Sequence, residues 1–216
     1  MIECGGVYLP DGETHLVEWM RNDKHAREVD DKLTYQYHKL EAALGYVRNW
    51  RTAVDVGSHC GLWAMHLVKK FAYVHAFEPV ASHRGCYLAN VHGDNSYLHP
   101  CALGAEKKYV GIHTAPTSSG DSWVIPEGDI EMRCLDEFAL DDVDFIKLDT
   151  EGHELLALRG GEETLKRCKP CVIVEQKKGH AQRFGLPETG AVDYLLSLGA
   201  KLRLTISGDY VLSWDA

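Results

Sequence analysis

The feature that most constrains this chain is a repeated short apolar run with an acid at or beside its carboxyl end. Thr52-Ala53-Val54-Asp55-Val56, Ala72-Tyr73-Val74-His75-Ala76-Phe77, Val143-Asp144-Phe145-Ile146-Lys147-Leu148 and Cys171-Val172-Ile173-Val174 are each too short for a helix and nearly continuous in apolar character. Runs of this kind are strands buried on both faces. The stretches between them show helical spacing. Residues 34–47 carry Tyr37, Leu40, Leu44 and Val47 on one face, and residues 61–70, 82–91, 154–166 and 191–198 read as further helices, that at 154–166 interrupted at Gly160-Gly161. Strand alternating with helix predicts an α/β fold with a doubly wound, mostly parallel sheet. Residues 95–102 supply a third strand, and residues 201–206 and 210–214 flank Gly208-Asp209 as an antiparallel terminal hairpin.

Two segments interrupt this rhythm. Residues 1–33 form a polar N-terminal segment, with turns at Gly5-Gly6 and Asp11-Gly12, before the α/β domain of residues 34–216. Residues 107–133 read as an insertion, with short strands at 109–113 and 130–133 around a polar Gly/Ser/Pro loop at 114–121. Long loops at this place in a doubly wound sheet carry substrate contacts, so Asp121 is a candidate substrate residue.

Composition excludes several classes. With 23 basic and 32 acidic side chains the net charge is −9, which argues against a face for naked nucleic acid. Hydrophobic residues at 45% and charged ones at 25% describe an ordinary globular chain. No apolar run reaches the ~20 residues of a membrane span, and the N-terminus has no secretory pattern. The seven cysteines are irregularly spaced, so we expect reduced thiols and a cytoplasmic location. Cys168-Lys169-Pro170-Cys171 lacks the second pair that would complete a zinc site, and Cys171 opens a strand, so both read as structural. The twelve histidines are scattered and suggest no metal centre. Nothing in the sequence fixes an oligomeric state.

In an open α/β sheet, ligands bind outside the carboxyl ends of the strands. Those ends here carry Asp55-Val56-Gly57-Ser58-His59-Cys60-Gly61, then Glu78-Pro79, Cys101-Ala102, Asp149-Thr150-Glu151-Gly152-His153-Glu154 and Glu175. Gly57 and Gly61 form a D-x-G-x-x-x-G turn, and the helix expected after it offers free N–H groups and a positive dipole end. That is not the G-x-G-x-x-G of nicotinamide-dependent oxidoreductases, which remain the disfavoured alternative beside a non-catalytic nucleoside-binding protein. Glu78 is placed to accept hydrogen bonds from both ribose hydroxyls of a nucleoside, with Pro79 as an apolar edge for the base.

These segments, together with Ala76-Phe77-Glu78-Pro79, Ala102-Leu103-Gly104, Leu135-Asp136-Glu137-Phe138, Ile146-Lys147-Leu148-Asp149-Thr150-Glu151-Gly152 and Val172-Ile173-Val174-Glu175, resemble the ordered motifs of the FkbM family of S-adenosylmethionine-dependent methyltransferases. The family often has Ala-Asn where Ser58-His59 stand and a small apolar residue where His153 stands. The resemblance implies a Rossmann-like class I sheet of seven strands, the last antiparallel. It implies that Gly57, His59 and Gly61 face the methionine part of the cofactor with Asp55 supporting its ammonium, that Glu78 holds the ribose, and that Cys101 and Ala102 lie beside the adenine. It also implies methylation of a hydroxyl on a small-molecule or glycan acceptor.

A hydroxyl acceptor must lose its proton, so the strand-end carboxylates Asp149 and Glu151, with His153, are the candidate bases. Glu154 reads instead as a helix N-terminal charge. Asp149 and Glu175 should end neighbouring strands; they could bind Mg²⁺, but orientation of substrate hydroxyls without metal is the preferred reading.

Overall fold

The computed structural model describes residues 1–115 and 117–215. Its centre is a seven-stranded sheet built from β1 (Thr52–Val56), β2 (Tyr73–Phe77), β3 (Ser96–His99), β4 (Val143–Leu148), β5 (Cys171–Glu175), β6 (Lys201–Ile206) and β7 (Asp209–Ser213). The order across the sheet is β6-β7-β5-β4-β1-β2-β3. β7 runs opposite to the other six strands of this sheet. Pairing is in register at the carboxyl ends: Val56 lies opposite Leu148 and Phe77, and Leu148 opposite Val174. The residues that follow these strands therefore emerge along one edge.

The alternation of side chains along the strands separates two cores. Val54, Val56, Ile146, Leu148, Val172 and Val174 point to one face. There they meet helices α5 (Glu154–Arg159), α6 (Glu162–Cys168) and α7 (Gly190–Ser197). Ala53, Phe145, Cys171 and Ile173 point to the other face, against α2 (Tyr37–Leu44) and α3 (Ala64–Leu67). Full burial of each large aliphatic side chain stabilises by about 1.5–3 kcal/mol, which is why apolar runs dominate these strands. The break between α5 and α6 carries a glycine for a steric reason: a Cβ on Gly160 would overlap the Gly104 carbonyl oxygen.

The N-terminal segment is more structured than its polar composition predicts. Ile2–Cys4 pairs with Val7–Leu9, and α1 (His15–Asn22) follows. Val7, Leu9, Leu16 and Met20 are buried against Cys60, Met65 and Tyr87, the last on α4 (Ala81–Asn90). Asn90 fixes this packing: its Oδ1 accepts the Tyr8 amide at 2.7 Å, and its Nδ2 donates to the carbonyls of Tyr8 and Cys60 at 2.8 Å.

The insertion also differs from its reading as a loop. Residues Lys108–Ala115 and Ser118–Arg133 form a long antiparallel hairpin, so Ser118 to Asp121 lie in a strand. Pro116 of the expected loop is outside the described residues. The hairpin builds a separate three-stranded sheet with Ala102–Leu103, splitting the expected strand 95–102 in two. The thiols are all free, and Cys171 Sγ donates to the Ala43 carbonyl at 3.5 Å, consistent with a structural role. Among the described residues no helix is long and apolar enough to cross a membrane.

Candidate active site

A cleft of about 1130 Å³, counted to its open mouth, lies along the carboxyl edge of the sheet. Gly57, Ser58, His59, Glu78, Pro79, Val80, Cys101, Ala102, Leu103, Asp149, Thr150, Glu151, His153 and Lys177 line it from the sheet side. His15 and Leu16 of the N-terminal segment, Tyr35 just after it, and Ser118 to Ser122 of the hairpin roof it. Of the residues singled out in the sequence, Gly57, His59, Glu78, Pro79, Cys101, Ala102, Asp121, Asp149, Glu151 and His153 meet here, whereas Asp55, Gly61 and Glu175 lie behind the cleft wall.

The first turn works only with glycine. Gly57 has φ +71°, and a Cβ there would overlap the Asp149 carbonyl oxygen, so β1 and β4 could not close together at the cleft floor. The free amides expected in this turn are already used. Gly57 and Ser58 N–H both donate to the Phe77 carbonyl at 3.1 Å, Gly61 N–H donates to Ser58 O at 2.8 Å, and His59 N–H donates to Glu78 Oε2 at 2.8 Å. The expected helix at 61–70 reduces to one turn, α3, so the dipole contributes little.

Glu78 faces the turn rather than solvent. It is 4% exposed, and its Oε1 accepts the Val80 amide at 2.8 Å and lies 3.3 Å from His83 Nδ1. Burial would raise its carboxyl, but His83, His59 and the Val80 amide outweigh burial and hold it below its ordinary value.

Asp55 is fully buried, 3.2 Å from Lys147 Nζ, and that ammonium donates to Gly57 O at 2.6 Å. Burial raises the Asp55 carboxyl against the pull of Lys147. Lys147 thus ties β4 to the glycine turn. The sequence reading gave it no role, although a lysine inside an apolar strand is itself a signal, since buried lysines need a partner.

Next to the glycine turn, Asp149, Glu151 and Glu175 each bring an oxygen within 4.8 Å of the other two. Lys177 sits among them, 3.0 Å from Glu151 Oε1 and 2.9 Å from Glu175 Oε2. Burial and the Asp149 charge push Glu175 up to about 9. The same two causes push Glu151 up to about 7, opposed by Lys177. Asp149 goes the other way: Lys147 and Lys177 outweigh its burial and lower it. Burial beside the charged Asp149 thus favours the protonated form of Glu175 and brings Glu151 towards neutral pH. Lys177, like Tyr35 beside this cluster, escaped the sequence reading because it follows its strand by two residues and belongs to no motif.

His153 is buried, with Nδ1 3.2 Å from the Leu103 carbonyl and its ring against Phe184. Since a carbonyl only accepts, Nδ1 carries the hydrogen and Nε2 keeps its lone pair. Burial depresses this imidazole to about 4. Glu154 Oε1 accepts the amides of Thr150 and Gly152 at 2.9 and 3.0 Å, which makes it the brace of the turn rather than a ligand group.

These features fit the methyl-donor cofactor suggested by the motifs: an acid beside a glycine turn, an apolar edge at Val80, Cys101 and Ala102, and space for a nucleoside-sized ligand. The model of the methyltransferase FkbM domain matches residues 55–203. Among solved structures, the chain is similar to methyltransferase FkbM from Methylobacillus flagellatus KT, at 21% identity and TM-score 0.53 over 79% of this chain and 45% of that one. It is also similar to precorrin-6y C5,15-methyltransferase from Geobacter metallireducens GS-15, at 14% identity and TM-score 0.50 over 90% and 96% of the two chains. A putative S-adenosylmethionine-dependent methyltransferase from Listeria monocytogenes aligns at 8% identity and TM-score 0.51 over 84% and 97%. At these identities the likenesses establish a Rossmann-like methyltransferase fold. The chain spans less than half the length of the Methylobacillus structure. No curated protein sequence matches it.

Proposed function

Because the chain belongs to the FkbM-domain methyltransferase family, we propose that it moves a methyl group from S-adenosylmethionine to a hydroxyl of a small-molecule or carbohydrate acceptor. The observation that carries this reading is Glu78 turned onto the Gly57–Gly61 loop across an open cleft. In this reading Glu78 accepts from the ribose hydroxyls, Pro79, Cys101 and Ala102 border the adenine, and Gly57 and His59 face the amino-acid tail. Asp55 and Gly61 act from beneath, through Lys147 and the shape of the turn.

S-adenosylmethionine, when bound, supplies a methyl group already activated by its sulfonium. The chain's own work is alignment, exclusion of water and removal of one proton. The hairpin and the N-terminal segment cover the cleft, and fixing two reactants in it can be worth ~7–11 kcal/mol. Glu151 is the residue to which we assign the acceptor's proton: it lines the cleft, and a base poised near neutral pH is effective in either direction. Asp149 keeps its charge and orients the acceptor hydroxyl, with Glu175 sharing a proton behind it. His153 offers an acceptor nitrogen at the cleft wall, and Asp121 a carboxylate at the mouth. Lys177 places a cation among the three carboxylates, so this reading requires no Mg²⁺.

The test is a transfer screen with methyl-labelled S-adenosylmethionine against sugars, glycolipids and small hydroxylated metabolites. Label on an acceptor oxygen, lost in Glu151→Gln, is the expected result. Label on nitrogen or carbon alone would refute the hydroxyl assignment.

A further inference from the structure

The roof of the cleft is wired to its floor by three side chains. Glu13, 2% exposed, accepts the Leu16 amide on Oε1 at 2.8 Å and the Ser119 amide on Oε2 at 2.6 Å. The Ser119 hydroxyl also donates to Glu13 Oε2, and Ser119 Oγ lies 2.9 Å from His59 Nε2. His59 closes the circuit: its backbone, at φ +50°, sends its N–H to Glu78.

The hydrogens in this chain can be assigned by elimination. A carboxylate receiving three donors is acceptor-only. The single Ser119 hydroxyl hydrogen is therefore spent on Glu13, and the hydrogen in the Ser119–His59 contact must sit on His59 Nε2. A second proton on the ring is disfavoured by burial and by the neighbouring His83 ring, 4.3 Å away. His59 Nδ1 is then a bare lone pair, without a hydrogen bond among the described residues, on a side chain that lines the cleft.

The amides of Gly57, Ser58, His59 and Gly61 are engaged within the protein, and Asp55 lies beneath the floor on Lys147. We propose that Glu13 and Ser119 are positioning residues that lock His59 in its Nε2–H form, so that Nδ1 accepts the ammonium of the methyl donor's amino-acid tail. The N-terminal segment and the hairpin thereby become parts of the donor site. The proposal rests on the methyltransferase reading.

Two measurements separate the two ideas. Long-range ¹H–¹⁵N correlation on histidine-labelled protein, without ligand, reads the tautomer directly. His59 should be Nε2–H in the wild type and should lose that preference in Ser119→Ala. Calorimetry then compares S-adenosylhomocysteine with 5′-methylthioadenosine, which lacks the amino-acid tail. Ser119→Ala should weaken the first about tenfold and the second less than about twofold, since one hydrogen bond to a charged group is at stake. A merely structural role would weaken both alike. An Nδ1–H wild type, or equal weakening of the two ligands, overturns the relay and leaves the methyltransferase reading standing. Failure of both ligands to bind the wild type overturns that reading and the proposal with it. Glu13→Gln gives a second variant with its packing volume kept, and it should shift the tautomer in the same direction.

Discussion

Replacing Lys147 with methionine removes the cation that touches Asp55. The pair is buried, with side-chain exposures of 9% and 0%, and the ammonium also donates to the Gly57 carbonyl. Methionine fills similar volume, so the loss is electrostatic rather than steric. Breaking a buried pair from one side costs about 3–5 kcal/mol, because the remaining charge has no partner. Against the ~5–15 kcal/mol that holds a domain folded, that is a large fraction. The sign of the pH dependence follows. The folded carboxyl of Asp55 already lies above its unfolded value, and without Lys147 it moves higher. Stability tied to such a group is present at low pH and lost as pH rises. The destabilisation of Lys147→Met should therefore grow between pH 5 and pH 8 by up to about 1.4 kcal/mol per unit until the new folded pKa is reached. Urea unfolding of the wild type, Lys147→Met, Asp55→Asn and the double variant at both pH values measures all of this. The double variant should recover at least about 2 kcal/mol of the single loss. A cost below about 1 kcal/mol, no dependence on pH, or additive single effects would refute the argument.

Further expectations are open to direct measurement. Glu78→Ala should weaken S-adenosylmethionine at least about 100-fold by calorimetry, since two hydrogen bonds to a charged group disappear. In wild-type turnover, kcat should rise with pH through about 7 as Glu151 ionises; Glu151→Gln should flatten that limb and slow turnover about 10²–10⁴-fold, while leaving donor affinity within about twofold. A chelator should leave the rate unchanged if Lys177 supplies the cation among the carboxylates. His66 and His153 are 4% and 3% exposed, and burial depresses each imidazole to about 4. Their neutral forms stabilise the fold above about pH 6.5, and each should withdraw on the order of 2 kcal/mol by pH 5; unfolding curves of His153→Gln against wild type at pH 5 and 8 read the second contribution.

The central strands were legible because period and length left no choice. A run such as Val143 to Leu148 is too short for a helix and too apolar for an edge. Glu78 was legible for a related reason, since the end of β2 fixes where its side chain emerges. What escaped was tertiary. Val7 and Leu9 are only two apolar positions, and nothing local reveals that Asn90 holds the Tyr8 backbone between them across 82 residues of chain. The polar residues 118–121 look like a loop because they carry no apolar alternation and Glu13, which holds Ser119, lies 106 residues away in the chain. The free amides expected at Gly57 fail likewise: the Phe77 carbonyl that takes them belongs to the next strand.

The hairpin of residues Lys108–Ala115 and Ser118–Arg133 hangs from the main sheet's neighbour Ala102–Leu103 and not from the seven strands themselves. Its length and tip can thus vary without disturbing the register that aligns Val56, Phe77, Leu148 and Val174. A chain organised in this manner can acquire new customers for the same chemistry by exchanging an awning while its foundations stay put.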